Sequence, residues 1–433
     1  MKNNHQMLRE VFMNKKYWFF VILTLFLGLF VQGQAAGQNV IKIGVLFPFT
    51  GPLAMVGKEY WESWDIVSEM MNEKGGVLGK KIVGVKADAV DPKNAMSEAE
   101  RLINVEKVNI IAGTYSSPRA MTASEVAEKY KKIYYETGAA ADELTQRKMN
   151  YFFRLQVKGS SYGIMGADYS AQVLAPAMNK KPGDLKVVVC YEDSIWGSTI
   201  SKAFAEQAKK VGIKISETVS YNYKAVDFSA MITRFKMINP DIVYGVNYAP
   251  DFMILWRQMK QLDLNMKAYV GNGTLLHSDL PKALGSDIDY VFDIQGVGLQ
   301  NFNLDAISKK SRDFLAEIQR RHQKKYGVPM PGENVPPAYE FWVLLDQVLP
   351  MAGSDDPEAV RRALFKLDIP LKDSLLGFGI KFAGPDAPEP GQNIRAVPAV
   401  MQWMEKKLWT VYPQELATMK VKPVMPAWKE RGK

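Results

Sequence analysis

Apolar and polar positions along this chain alternate between two periods, and the alternation repeats. Val40–Phe47 is a nearly continuous apolar run of strand length. From Glu59 to Asn72, Trp61, Trp64, Val67 and Met71 recur every three to four residues, the spacing of a helix with one buried face. Lys74-Gly75-Gly76 ends that helix. Lys81–Ala87 reads as a strand, and Asp91-Pro92 opens a helix with Asp as N-cap and Pro at the first helical position. The same strand–helix pairing recurs at Val108–Gly113 with Arg119–Tyr130, Lys132–Glu136, Lys186–Tyr191 with Trp196–Val211, Lys214–Tyr221 with Phe228–Ile238, and Asp241–Asn247 with Asp251–Leu262. Two longer helices are expected over Ala306–Tyr326 and Val335–Met351. Three prolines within Gly384–Gly391 forbid regular structure there. Repeated βα units predict an α/β fold of parallel sheets covered by helices on both faces, and the 433-residue length predicts two such sheets.

Composition narrows the function classes. Of the net charge of +9, residues 1–36 carry about +3, and the remaining excess of about +6 is spread along the chain, which gives no nucleic-acid footprint. With one cysteine, Cys190, and three histidines there is no internal disulfide and no Cys/His metal cluster, and no metal site or cofactor is expected. Cys190 falls in the apolar run Val187–Cys190 and reads as a buried strand thiol. Lys15-Lys16, an apolar run of about 15 residues and Gly33-Gln34-Ala35 have the order of a secretory leader, residues 1–36; the run is short for a membrane span of about 20, and an uncleaved anchor is the alternative. No phosphate-binding loop, dinucleotide fingerprint or nucleophile elbow occurs at a strand–helix junction. His277-Ser278-Asp279 reads as a short helix start, because adjacent residues seldom converge on one catalytic site. No catalytic residues are assigned, and the chain is read as a binding module, not an enzyme.

Three strand-to-helix junctions carry small-ligand chemistry, at the carboxyl ends of strands where open α/β sheets bind ligands. Gly113–Arg119 places Tyr115, Ser116 and Ser117 at a helix N-terminus, whose dipole favours an anion. An N-cap alone accounts for one serine but not for Tyr-Ser-Ser. Gly138, Ala139 and Ala140 are small enough for a ligand to approach the backbone. Tyr191–Gly197 puts Trp196 at a helix start.

In order and spacing the chain resembles the branched-chain amino-acid (Leu/Ile/Val) type of periplasmic solute-binding protein that serves ABC importers. The likeness rests on Ile43-Gly44 with Pro48-x-Thr50-Gly51-Pro52-Leu53-Ala54-x₂-Gly57, on Asn72–Lys81, Asp91–Ala95, Ser116-Ser117, Glu143–Gln146 and Asp227-Phe228-Ser229. The resemblance implies a type I periplasmic binding fold: two Rossmann-like lobes joined by three crossovers, near 156–159, 296–300 and 375–379. The lobes are then 37–157 with 299–376, and 158–298 with 377–433. It implies a monomer in the periplasm that closes on a small carboxylate or amino acid and then engages an inner-membrane permease. A ligand carboxylate is expected on Ser116 and on backbone near Gly138 and Ala140, with Trp196 and Tyr248 contributed by the opposite lobe. Two rivals are a ligand sensor uncoupled from transport and a hydrolase on a similar frame.

Departures from the family pattern sharpen the ligand question. A threonine is usual near Ala140 and an acid near Gly273, and both help to hold an α-ammonium. Here a methyl group and a bare backbone stand in those places. Either the ligand lacks an amino group, so that simple carboxylates bind better than leucine, or Glu136 or Asp251 replaces the acid. A disulfide found in some family members, at the positions of Val90 and Tyr115, is absent.

Overall fold

The computed structural model describes residues 40–296 and 300–431. The leader expected at residues 1–36 lies outside them, as does the middle of the crossover expected near 296–300. Five parallel strands form the first sheet, in the order β2-β1-β3-β4-β5: β1 (Val40–Phe47), β2 (Lys81–Asp88), β3 (Ile110–Gly113), β4 (Ile133–Glu136) and β5 (Phe152–Arg154). Seven strands form the second. β6 (Val187–Glu192), β7 (Ile215–Tyr221), β8 (Ile242–Val246), β9 (Ala268–Asn272) and β10 (Phe292–Gln295) run parallel, and β11 (Ala399–Met404) and β12 (Lys407–Tyr412) add antiparallel at the β10 edge.

Alternation along the strands sorts side chains onto two faces, as a period of two requires. Ile43, Val45 and Phe47 join one apolar cluster while Leu46 joins the other. Val187 and Val189 likewise face away from Val188 and Cys190. Cys190 is a fully buried free thiol, and burial pushes its pKa up to about 12.

The helices follow the expected caps. Asp91 accepts from the Asn94 N–H (2.8 Å) at the head of α2 (Pro92–Asn104). α1 (Ala54–Glu73) begins five residues before Glu59. Ser278 precedes a short helix without a side-chain cap bond, and its N–H instead donates to Glu333 Oε1 (2.7 Å). α8 (Lys309–Tyr326) and α9 (Val335–Trp342) return to the first sheet, where Phe341 meets Trp64 edge-on at 5.3 Å and the Tyr135 hydroxyl donates to the Glu340 carbonyl (3.1 Å).

The last crossover departs from the expected position. The Arg154 N–H donates to Gly391 O (2.9 Å), the Asn393 N–H donates to Arg154 O (3.0 Å), and the Arg154 guanidinium donates to Gln392 Oε1 (2.6 Å). Residues 391–393 thus line the edge of the first sheet, and the chain passes to the second only between Asn393 and Ala399. The proline-rich loop before them hides this pairing from a pattern reading. Among the described residues no helix is long and apolar enough to cross a membrane.

Candidate functional site

The carboxyl ends of the two sheets face each other across a cleft with a cavity of about 50 Å³. On the first-sheet side, the loop from β3 to α3 (Ser117–Lys129) and the loop after β4 are fastened together by one carboxylate. Glu136, fully buried, accepts from the N–H groups of Thr114 (2.7 Å), Tyr115 (3.3 Å), Gly138 (2.7 Å) and Ala139 (2.7 Å). Burial pushes its pKa up to about 7 against the pull of these amides. Glu136 therefore buttresses the cleft and does not face it. Its amides hold Tyr115 at φ +78°, a conformation a bulky residue seldom adopts.

Ser116 is the N-cap residue of α3, but its side chain makes no capping bond. Its Oγ accepts instead from the buried Arg119 guanidinium (2.6 Å), which also donates to Ala89 O and Val90 O (both 2.6 Å). With that lone pair occupied by a cation, the Ser116 hydroxyl is polarised and its proton is available for an anion in the cleft. Of the small-residue loop, Gly138 and Ala140 line the cleft. The Gly138 amide is already taken by Glu136, which removes it as an anion donor. A Cβ at Gly138 would lie 2.5 Å from the Tyr115 Cα, so only glycine fits. Ser117 and Ala139 do not reach the cleft. Ser117 Oγ accepts from the Ala141 N–H (3.0 Å) behind the loop, and Ala139 packs in the first lobe's core.

The opposite wall is aromatic. Trp196, in the first turn of α5 (Ile195–Lys210), stacks on Tyr248 at 4.9 Å, and Tyr248 reaches Tyr115 across the cleft at 6.3 Å between ring centroids. Gly273, at φ +70°, lines the cleft beside Tyr162. Asp251 lies behind this wall, 1% exposed, where it accepts from the Tyr221 hydroxyl (2.6 Å). It is no substitute for an acid at Gly273.

The cleft does contain acids that pattern reading missed. Glu59 from α1 and Glu333 from the turn before α9 line it, with His277 from the opposite lobe. His277 Nδ1 lies 2.9 Å from Glu59 Oε1. Burial opposes charge on this imidazole, but the Glu59 and Glu333 carboxylates outweigh it and hold its pKa up at about 9. The expectation that an amino group has no acidic partner here therefore loses its basis. The helical periodicity that marked Trp61 and Trp64 as core also set Glu59 on the rim of that face. Glu333 had no local signal.

A family model described as periplasmic binding protein matches residues 40–401. The chain belongs to the periplasmic binding protein family. Two relatives of this periplasmic binding protein are the Leu/Ile/Val-binding protein homolog 7 of Brucella suis biovar 1, 33% identical over 93% of this chain and 98% of the relative, and homolog 8 of Brucella abortus, 31% identical over 88% and 93%. Among solved structures, a leucine binding protein from Thermotoga maritima superposes with a TM-score of 0.72 at 22% identity, covering 86% of this chain and 97% of that one. A Rhodopseudomonas palustris solute binding protein in complex with benzoate gives 0.70 at 18% identity, covering 86% and 95%. These likenesses establish the two-lobed mixed α/β fold with parallel sheets. The family consists of solute-binding proteins, which are not normally enzymes.

Proposed function

We propose that this periplasmic binding protein is the solute receptor of an ABC importer, exported behind the leader at residues 1–36, acting as a monomer and presenting its closed form to an inner-membrane permease. Its ligand is a small molecule with a carboxylate end and an apolar or aromatic body, amino acids included. The observation that carries this reading is the pairing of a polarised anion donor with an aromatic wall across the cleft. The Ser116 hydroxyl, backed by Arg119, faces the stacked Trp196 and Tyr248. The Ala140 N–H has no hydrogen-bond partner among the described residues and is the second donor. Relatives named for leucine, isoleucine and valine and a structural neighbour holding benzoate bracket the same class. We place the first lobe at residues 40–157 and 309–393 and the second at 158–296 and 399–431. A ligand touching both lobes shifts the equilibrium toward closure.

A thermal-shift screen of amino acids, aromatic acids, dicarboxylates and amides tests the reading. A ligand at a hundred times its dissociation constant adds about 2.7 kcal/mol of stability. Ser116→Ala is expected to weaken the best hit by about 1–3 kcal/mol in calorimetry with the fold intact. A response confined to uncharged amides, or equal affinity in the variant, would remove the carboxylate from this assignment.

A further inference from the structure

Glu59, His277 and Glu333 offer one ligand atom each, all within 4.8 Å of one another, in the wall between two cavities. One is the ligand cleft. The other, about 280 Å³, lies on the outer side and is lined by both lobes. Its buried polar groups present acceptors. Glu333 is 6% exposed: its Oε1 accepts from the Ser278 N–H, and its Oε2 has no partner. The Asn334 Oδ1 is buried and also without a partner. His322 points Nδ1 at the Val328 carbonyl (2.9 Å). Its Nε2 lies 3.6 Å from Glu62 Oε2. The flanking ammonium groups are already paired, Lys58 with Glu62 and Lys282 with Asp279. Glu59 is met by His277, and Glu333 by the Ser278 N–H.

We propose that this cluster is a divalent-cation site that ties the two lobes together in the closed state. On binding, the ion displaces the His277 proton to solvent, and two carboxylates with the resulting neutral imidazole balance a 2+ charge. A mixed nitrogen and oxygen set of this kind suits zinc and its neighbours better than calcium or magnesium. Waters bound to the ion supply the donors that Glu333 Oε2 and Asn334 Oδ1 lack. A ligand ammonium fits less well. The unsatisfied Glu333 Oε2 and Asn334 Oδ1 belong to residues that line the outer cavity, away from the aromatic wall that would hold the ligand's body. Two of the three ligands belong to one lobe and His277 to the other, so the ion favours closure. The count of histidines and cysteines in the sequence gives no hint of such a site, because two of its three ligands are carboxylates brought together by the fold.

The test is titration of EDTA-stripped protein with zinc by calorimetry, with small-angle scattering as a second readout. One equivalent is expected to bind and to shrink the radius of gyration without any organic solute. His277→Ala and Glu333→Gln, checked for folding by circular dichroism, are each expected to weaken zinc at least ~10-fold. Absence of saturable zinc binding, wild-type affinity in both variants, or protection by ethylamine but not by zinc would overturn the site. Organic-solute binding measured in EDTA reports on the receptor function separately, so failure of one is distinguishable from failure of the other.

Discussion

Replacing Arg119 by methionine is expected to lower the free energy of unfolding by about 3–5 kcal/mol, with the proposed anion site lost as well. Methionine keeps an unbranched stem but none of the donors. Three acceptors would then be orphaned in the interior: the Ala89 and Val90 carbonyls and the Ser116 hydroxyl oxygen. Water has poor access, since Ala89 is fully buried and Arg119 itself is 4% exposed. Each unsatisfied buried acceptor costs about 1–3 kcal/mol, partly relieved by local rearrangement. The guanidinium also ties the end of the β2 strand to the β3–α3 loop, so its removal frees the loop that carries Tyr115 and Ser116. Urea unfolding measures the loss. A change under about 1 kcal/mol would show that the three bonds are replaceable.

The second large effect is a pH dependence centred on Asp251. Burial pushes its carboxyl up to about 8 from an ordinary 3.8, against the pull of the Tyr221 hydrogen bond. Between those pH values the folded protein holds a proton that the unfolded chain has lost. Folding then takes up a proton, and stability falls as pH climbs from about 4 to about 8. Asp251→Asn removes the titration while keeping an oxygen for the tyrosine. The stability difference, variant minus wild type, is expected to grow by about 2–4 kcal/mol between pH 5 and pH 9. Parallel denaturation curves at the two pH values check it. A difference that is flat with pH would mean that Asp251 is ionised in the fold at neutral pH.

How much was legible in the sequence follows from how local each feature is. The strands of the first sheet and the parallel part of the second are apolar runs, and their helices carry caps such as Asp91 within a few residues. The antiparallel strands β11 and β12 escaped notice. Their hairpin turn is Glu405-Lys406, with φ of +55° and +60°, where Asn-Gly would have announced it. The junctions were correctly placed in the chain, but which side chains look into the cleft is decided by hydrogen bonds to distant residues. Ser117 turned away to serve Ala141, and the Gly138 amide was claimed by Glu136. Glu333 enters the site from a segment more than two hundred residues beyond Ser116 in sequence, along a path that no local pattern records.

That return path also sets an order of events when the chain is made. All five strands of the first sheet emerge by residue 154, yet α9, which covers the Phe47, Tyr60 and Trp64 side of that lobe, follows only after the parallel strands of the second sheet. Until residue 342 is free, an aromatic face of the first sheet lies bare. A chain emerging from its N-terminus must therefore wait with sticky surface exposed, and contacts of such long sequence separation form slowly. The interval before Phe341 docks is the time in which a holding chaperone has something to grip.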